Sequence, residues 1–275
     1  MAYNLLKGKR GIIFGALNEL SIAWKVAERA HDEGAKIVLT NTPVSIRLGT
    51  ISELSERYGA VVIPADATSV GDLENLVDKA VELLGGKIDF VLHSIGMSPN
   101  VRKRIPYEDI DYNNMMKTID ISALSFHKLL QTLHKKDAMA EYGSVVALSY
   151  IAAQRTVAGY GDMADAKALL ESITRSFGAI YGRERKVRIN TISQSPTLTT
   201  AGQGIAGLGD WFKMADELSP LGNASADDCA DYVVTLFSDF TRKVTMQNLY
   251  HDGGFSQMAI CPSVIEAYER GKERE

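Results

Sequence analysis

Short apolar runs alternate with longer segments of helical periodicity along most of this chain. The run from Gly11 to Gly15 predicts a buried strand, and apolar residues from Ile22 to Ala30 then recur at helical spacing, with Gly34 where a helix would end. The same alternation predicts further strands at 37–39, 61–63, 88–95, 144–149, 187–193 and 247–251, and further helices at 48–58, 73–84, 107–136, 159–181 and 225–237.

Strands that alternate with helix-length segments favour a parallel sheet with right-handed crossovers and helices on both faces. The predicted fold class is α/β, a Rossmann-like doubly wound parallel sheet of about seven strands. No linker interrupts the alternation, so we expect a single domain over residues 1–275. Ligands of such sheets bind at the carboxyl ends of the strands, and candidate chemistry is therefore sought there.

Composition narrows the class of protein further. The 275 residues carry 30 Lys and Arg against 34 Asp and Glu, a net charge of −4, so we expect no nucleic acid partner. Cys229 and Cys261 lie far apart without a CxxC motif, which indicates neither a disulfide framework nor a metal site and favours a reduced, cytoplasmic setting. The sequence has no apolar run of membrane-spanning length and no signal-peptide core, so we expect no membrane association.

The segment after the first strand has two interpretations. Gly15 to Ala23 contains a single glycine and lacks the GxGxxG pattern of dinucleotide-binding proteins. It could still form a tight turn in which Ser21 and the first helical amides donate to a pyrophosphate. Alternatively it is an ordinary loop with Ser21 as the helix N-cap. This segment alone does not decide between them.

The segments after strands two and three bear on an adenosine site. The run Asn41-Thr42-Pro43 offers neither the carboxylate that binds ribose hydroxyls nor the Arg that accommodates a 2′-phosphate, and Arg47 is the only nearby cation. Asp66, followed by Ala67, is either a helix-initiating residue or an acceptor for adenine. The sequence leaves both alternatives open.

After strand four, Gly96 would let the main chain pass close to a ribose. His93 stands at the end of an apolar strand. A lone His in that position is more often a hydrogen-bonded structural residue, and we assign it no catalytic role.

The densest cluster of candidate residues begins at strand five with Leu148-Ser149-Tyr150 and continues with Tyr160 and Lys167. If both lie on one helix, seven residues correspond to about two turns, which places Tyr160 and Lys167 on one face about 10 Å apart. An ammonium near a phenol would lower the phenol pKa from about 10. The alternative is an amphipathic helix with a half-buried Tyr and a Lys that reaches solvent.

These motifs occur together in a known order: Gly15-x5-Ser21-Ile22-Ala23, His93-Ser94-Ile95-Gly96, Leu148-Ser149-Tyr150, Tyr160-x6-Lys167 and Asp252-Gly253-Gly254-Phe255. Over nearly its whole length the chain resembles the bacterial enoyl-acyl carrier protein reductases of the divergent short-chain dehydrogenase/reductase type. The most specific element is Tyr-x6-Lys, because ordinary members of that superfamily place the two residues four apart and usually act on ketones or alcohols.

The resemblance implies NAD(P)H-dependent reduction of the 2,3 double bond of trans-2-enoyl-acyl carrier protein thioesters in type II fatty acid synthesis. Tyr160 would then stabilise the enolate oxygen, Lys167 would hold the nicotinamide ribose, and Tyr150 would line the substrate pocket. NADH is the expected cofactor, with NADPH as the alternative. The resemblance also implies acyl carrier protein as partner and a homotetramer.

The same resemblance implies a set of binding residues. Cofactor contacts are expected from Gly15, Ser21, Ile22, Asp66, Ala67, Ser94, Ile95, Gly96, Lys167, Thr197 and Thr199. Substrate contacts are expected from Ser98, Tyr150, Tyr160, Met163, Ile205 and Leu208. A substrate lid is expected at about 197–217, where Trp211 could close over an acyl chain.

The chain departs from the family pattern in two places. Gln194-Ser195-Pro196-Thr197 replaces the common Ala-Gly-Pro-Ile run, and residues 201–209 are unusually rich in glycine. Two other functions stay open at this stage, a short-chain 3-ketoacyl reductase or dehydrogenase and a non-catalytic dinucleotide-binding sensor. Acyl chain length and the choice between carrier protein and coenzyme A thioesters are also open.

Overall fold

Seven strands form one parallel sheet within residues 2–200 and 208–272, the part of the chain that the computed structural model describes. The spatial order is β3-β2-β1-β4-β5-β6-β7. The predicted Rossmann-like α/β class is confirmed. The strands are β1 Arg10–Phe14, β2 Lys36–Thr40, β3 Val61–Val62, β4 Ile88–His93, β5 Met139–Ser149, β6 Arg188–Gln194 and β7 Asn248–His251.

Helices connect these strands and cover the sheet. Within the described residues they are α1 Ile22–Asp32, α2 Pro43–Leu48, α3 Ile51–Tyr58, α4 Val70–Leu84, α5 Pro99–Arg102, α6 Tyr112–Ile119, α7 Ser125–Lys135, α8 Asp162–Arg185, α9 Leu208–Leu218, α10 Ala226–Phe237 and α11 Pro262–Lys272. None of the helices in this part of the chain is long and apolar enough to cross a bilayer.

The core lies on both faces of the sheet, as strand alternation requires. Ile12 packs with Leu73 of α4 and Leu129 of α7, in a cluster that α8 also joins. The next residue, Ile13, points the other way and packs with Trp24 of α1 and with apolar residues of α3 and α10. Because both faces are covered, the strands are nearly continuous apolar runs.

The strand order reverses between β1 and β4. The chain moves outward from β1 through β2 to β3, and then returns to place β4 on the other side of β1. The carboxyl ends of β1 and β4 therefore open a crevice at the reversal, which is the usual ligand position in doubly wound sheets. Gly15 and Ser94 lie at these two ends.

One predicted helix is divided in the structure. In place of a continuous helix over 107–136, a 3₁₀ turn at Tyr107–Asp109 precedes α6, and a π-helical turn at Asp120–Leu124 separates α6 from α7. The Asp111 side chain accepts a hydrogen bond from the Asn114 amide and so starts α6 at Tyr112. The prediction located the helical segment but missed this start signal.

The prediction that a helix begins at Gly159 is wrong in a way that matters for the site. α8 begins at Asp162, and its N-cap Gly161 has φ 52° and ψ −142°, a conformation that glycine adopts readily and other residues do not. Tyr160 therefore lies before the helix that carries Lys167. The expected two-turn spacing on one helix face does not apply to this pair.

Candidate active site

The turn after β1 brings the main chain of two strands together. Gly15 has φ +95°, and a Cβ built on it would lie 2.0 Å from the Ser94 carbonyl oxygen. Its amide donates to the Thr40 carbonyl oxygen at 3.1 Å, which ties the turn to β2. Only glycine fits this position. The single glycine of the motif therefore provides the close main-chain approach that a pyrophosphate site needs.

Ser21 occupies the N-cap position of α1 but does not cap it. Its Oγ donates to the Asn18 carbonyl oxygen at 2.7 Å and accepts from the Leu17 amide at 3.2 Å, so the Ser21 side chain makes no capping bond to the helix. Among the described residues, the first two amides of α1, those of Ile22 and Ala23, have no acceptor. The third amide, that of Trp24, donates to the Ser21 carbonyl oxygen at 3.0 Å. This arrangement fits an anion such as a pyrophosphate better than it fits an ordinary capped loop.

The segment after β6 meets the turn after β1. The Asn18 amide Nδ2 donates to Thr200 Oγ1 at 2.8 Å. Thr197 Oγ1 donates to the Ser195 carbonyl oxygen at 3.0 Å, and the Thr199 amide donates to the Thr197 carbonyl oxygen at 2.8 Å. Two of the expected cofactor residues, Thr197 and Thr199, thus stand on a short hydrogen-bonded turn beside the α1 N-terminus.

Ser195, which departs from the family pattern, has a structural role. Its amide donates to the His251 carbonyl oxygen at 3.0 Å, and its Oγ accepts from the Ala224 amide at 3.1 Å. The neighbouring Gln194 binds the His251 ring nitrogen Nδ1 through Oε1 at 2.7 Å. These bonds fasten the end of β6 to β7 and to the start of α10, so the serine keeps the segment on a defined path.

On the adenosine side, the Asp66 carboxylate is already partly occupied. Its Oδ1 accepts from the Thr68 amide at 2.9 Å and from Thr68 Oγ1 at 2.8 Å, the geometry of a side-chain turn. Ala67 is buried. Across the crevice, Asn41 Nδ2 donates to the Ala16 carbonyl oxygen at 3.0 Å. Asp66 thus shapes its loop, and a contact from Asp66 to adenine stays a prediction.

The segment after β4 runs along the side of the site that carries Tyr150, Tyr160 and Lys167, which we call the reacting end. A Cβ built on Gly96 would lie 3.6 Å from Lys167 Nζ and 3.8 Å from Met163 Cε, so the main chain passes directly beside both side chains. His93 is fully buried, and its Nε2 lies 2.9 Å from Ser125 Oγ. Burial, together with the Lys167 charge, lowers the His93 pKa to about 3, which makes it a neutral structural residue.

Tyr150 and Tyr160 form the centre of the cluster. Their ring centroids are 4.9 Å apart, and Tyr160 is only 9% exposed. Burial raises the pKa of Tyr150 to about 12, and burial with the Tyr150 neighbour raises the pKa of Tyr160 still further. The expected lowering of the Tyr160 pKa by Lys167 is therefore wrong for this structure, because burial disfavours the phenolate.

Lys167 does not reach solvent. It is 7% exposed, and its Nζ donates to the Leu148 carbonyl oxygen at 2.7 Å. Burial lowers its pKa to about 8, and the nearby Glu171 carboxylate opposes that shift. The structure therefore overturns the alternative of an amphipathic helix with a solvated lysine.

A second buried group, Asp162, lies two residues beyond Tyr160 and was not found from the sequence. Its carboxylate accepts from Ser98 Oγ at 2.6 Å, Asn100 Nδ2 at 2.9 Å and Thr118 Oγ1 at 2.9 Å. It is completely buried. These bonds fasten the segment after β4 and helix α6 to the start of α8, so Asp162 fixes the frame around Tyr160.

Several expected substrate residues can be placed. Ser98 uses its side chain on Asp162 and on the Val101 amide, which donates to Ser98 Oγ at 3.0 Å. Met163 lies against Gly96 in the cluster of buried residues that contains Tyr160. Ile205 lies outside the described residues, and Leu208 is the first residue of α9. The Trp211 ring lies 3.3 Å from a Cβ built on Gly159, next to Tyr160.

Comparison with known proteins decides the family. The sequence profile described as enoyl-(acyl carrier protein) reductase matches residues 15–256, which span every motif of the site. The chain belongs to this family. The resemblance stated from the sequence is confirmed, and with it the activity of a nicotinamide-dependent enoyl reductase.

Individual relatives agree with the family match. The enoyl-[acyl-carrier-protein] reductase [NADH] 2 of Rhizobium meliloti is 32% identical over 253 residues, which cover 92% of this chain and 93% of the relative. The NADH-dependent FabI of Rickettsia bellii is 32% identical over 94% of this chain and 97% of its own length. The crystal structure of the FabI-NADH complex from Alistipes finegoldii is 72% identical, with a TM-score of 0.93, and the alignment covers 94% of this chain and 91% of that one.

Proposed function

We propose that this enoyl reductase uses NADH to reduce the 2,3 double bond of trans-2-enoyl thioesters carried by acyl carrier protein, in type II fatty acid synthesis. Bound NADH supplies the hydride that reaches the β-carbon of the substrate. The thioester oxygen then takes up negative charge as the enolate forms, and uptake of one proton at the α-carbon completes the reduction. The observation that carries the proposal is the Tyr150–Tyr160 pair, in which the partly buried Tyr150 packs against the buried cluster of Tyr160 and Met163 beside the loop after β4.

Tyr160 is proposed to donate a hydrogen bond to the enolate oxygen. Burial raises its pKa, so the phenol stays protonated at neutral pH and can act as a donor. A donor fixed in a site of low dielectric stabilises charge that develops in the transition state more than it stabilises the neutral substrate. Tyr150, with its pKa of about 12, is also a protonated phenol and is proposed to position the thioester.

Lys167 is proposed to hold the nicotinamide ribose. An ammonium has three donors, and one of them is engaged with the Leu148 carbonyl oxygen at 2.7 Å. The other two can donate to ribose hydroxyls. The approach is open at Gly96, because a glycine there leaves room between the main chain and Lys167 Nζ.

The pyrophosphate is proposed to lie over the turn after β1. The uncapped first amides of α1 and the close-fitting Gly15 support that position. The remaining cofactor contacts are proposed, on the family resemblance and on their location at the carboxyl edge of the sheet, for Ser21, Ile22, Asp66, Ala67, Ser94, Ile95, Thr197 and Thr199.

The acyl chain is proposed to lie under a lid formed by about 197–217. Met163 and Tyr150 would form the inner wall, and Ser98, Ile205 and Leu208 are proposed as further contacts. The position of Trp211 of α9 against Gly159 supports this arrangement, because it brings the second half of the segment next to Tyr160.

The expected assembly and location rest on the family. We expect a cytoplasmic homotetramer that acts on acyl carrier protein, within a single domain. The cysteines support a reducing compartment, since both Cys229 and Cys261 are free thiols.

The direct test compares two substrates in one NADH-oxidation assay. Purified enzyme is given crotonyl-acyl carrier protein or acetoacetyl-acyl carrier protein, each at the same concentration, with the coenzyme A thioesters as a second pair. We expect consumption of NADH with the enoyl thioester and little with the ketoacyl thioester. The reverse result would establish a ketoreductase, and tight NADH binding without turnover of either substrate would establish a sensor.

A further inference from the structure

Lys167 and Glu171 are two buried, oppositely charged residues one turn apart on α8. Residues four apart lie on the same helix face, and both side chains point to the end of β5. Lys167 Nζ donates to the Leu148 carbonyl oxygen at 2.7 Å, while Glu171 Oε1 accepts from Ser149 Oγ at 2.7 Å. Two consecutive residues of one strand thus hold the two charges at a fixed separation.

The Glu171 carboxylate is held by neutral groups. Besides the Ser149 bond, Gln154 Nε2 donates to Glu171 Oε2 at 2.8 Å, and the Tyr250 hydroxyl donates to Gln154 Oε1 at 2.6 Å. Within the part of the chain that the structure describes, Glu171 forms no direct ion pair, although it is only 4% exposed. Its negative charge is therefore available to act on Lys167.

We propose that Glu171 is a positioning residue that keeps Lys167 protonated in its buried site and thereby preserves NADH affinity at alkaline pH. This inference rests on the proposed function, in which Lys167 holds the nicotinamide ribose. Glu171 acts through Lys167 and does not touch the cofactor.

The other titratable groups around Lys167 cannot supply this countercharge. His93, from β4, has a pKa of about 3 and is neutral at physiological pH. Tyr150, from the segment after β5, has a pKa of about 12, and burial raises the pKa of Tyr160 as well, so both phenols are neutral. Glu171, on α8 itself, is the group that opposes the effect of burial on Lys167.

The sign of the effect follows from these charges. Burial lowers the Lys167 pKa to about 8, so the ammonium begins to lose its proton in mildly alkaline solution. Neutralising Glu171 removes the opposing influence and lowers the Lys167 pKa further. NADH affinity should then begin to fall at a lower pH than in the wild type, and both proteins should bind equally well where Lys167 is fully protonated.

The experiment measures NADH affinity by fluorescence titration from about pH 6 to about pH 9.5, a range that brackets the deprotonation of Lys167. Glu171→Gln keeps the size of the side chain and its capacity for hydrogen bonds. Near pH 6 we expect the variant to bind NADH with wild-type affinity. At higher pH we expect its affinity to begin to fall about one pH unit below the pH at which the wild-type affinity falls. This shift corresponds to about fivefold weaker binding than the wild type near pH 8. Glu171→Asp keeps the charge and should keep the wild-type profile.

The matched control is Glu184→Gln, the same substitution on the same helix at an exposed carboxylate paired with His134. It should not move the profile. Affinity that is reduced by the same factor at every pH in Glu171→Gln, or a profile equal to the wild type, would overturn the inference. Thermal unfolding is measured for each variant to show that the proteins compared in the titrations are folded.

A further variant separates this inference from the proposed function. If Lys167→Ala binds NADH with wild-type affinity, the ribose role of Lys167 is wrong, and the inference is overturned with it. If Lys167→Ala loses affinity while Glu171→Gln keeps the wild-type profile, only the role of Glu171 is overturned.

Discussion

The two ends of this site are built differently. At the proposed cofactor end, after β1, main-chain groups are expected to bind, with Gly15 allowing close approach and the first two amides of α1 lacking a cap. At the proposed reacting end, after β5, side chains are expected to provide the chemistry, namely the buried Tyr160 and Lys167 and the partly buried Tyr150. A main-chain site needs one position without a Cβ, whereas a side-chain site needs partners for each buried polar group.

That difference determines which substitutions would damage each end. The cofactor end depends on the main-chain conformation of one turn, which packs against the main chain of Ser94 and Thr40. The reacting end depends on distant partners, since Asp162 is held by Ser98 and Thr118, and Glu171 by Ser149 and Gln154. The substitutions below are chosen to damage one end and leave the other intact.

The largest effect on NADH affinity is expected from Gly15→Ala at the cofactor end. The new Cβ would lie 2.0 Å from the Ser94 carbonyl oxygen at φ +95°, so the turn has to move. We expect NADH affinity to fall by about 100-fold, since strain of this kind is worth a few kcal/mol. Fluorescence titration with NADH measures it.

The control for that prediction is Gly71→Ala in α4. A Cβ there meets only Ser69 Oγ, at 4.0 Å, and alanine favours a helix. This variant should bind NADH like the wild type. Wild-type affinity in Gly15→Ala would show that the main-chain turn is not the pyrophosphate site.

The next effect concerns the frame of the reacting end. Asp162→Ala leaves Ser98, Asn100 and Thr118 without their common acceptor in a fully buried position. We expect the free energy of unfolding to fall by about 2 kcal/mol, with NADH affinity of the folded protein changed by less than about twofold. Urea denaturation and NADH titration together measure both quantities.

Asp165→Ala is the matched control, because it removes a carboxylate from the same helix. Among the described residues, that carboxylate accepts a hydrogen bond only from the exposed Tyr107 hydroxyl, at 3.2 Å. Its stability should stay close to that of the wild type. Equal stability of the two variants would mean that the Asp162 bonds do not hold the frame around Tyr160.

The same distinction between a main-chain site and a side-chain site explains which features of each end could be predicted from the sequence. Strand and helix periodicity located the sheet. The glycine after β1 and the Tyr-x6-Lys motif named candidate residues at both ends of the site, and their roles stay predictions. The helix position of Tyr160 was wrong, because the conformation of Gly161 delays α8 by three residues from the expected start at Gly159. The direction of the Tyr160 pKa was wrong because it depends on burial, which only the packed structure reveals.

Asp162 and Glu171 escaped sequence reasoning for a related reason. An Asp in the first turn of a helix usually stabilises the helix dipole, and a Glu on a helix is usually solvated. The shortest hydrogen bond of Asp162 is with Ser98, 64 residues away in the chain, and the shortest of Glu171 is with Ser149, 22 residues away. The position of Glu171 one turn beyond Lys167 was the signal that could have found it.

A smaller effect is expected for the choice of cofactor at the adenosine end. Asn41, Thr42 and Pro43 place no cation after β2, and the Thr42 side chain is engaged in capping α2. We expect kcat/KM to favour NADH over NADPH by about tenfold, because the 2′-phosphate gains no charged hydrogen bond there. A clear NADPH advantage, lost in Arg47→Ala, would show that Arg47 reaches the ribose.

Tyr160→Phe tests most directly whether the reacting end acts through a buried protonated phenol while NADH binds independently at the cofactor end. Steady-state turnover of an enoyl-acyl carrier protein thioester and NADH affinity are measured on the same preparation. We expect kcat to fall by about 10²- to 10³-fold, as for loss of an oxyanion donor, while NADH affinity changes by less than about twofold. Unchanged kcat, or a loss of activity explained entirely by weaker NADH binding, would contradict it.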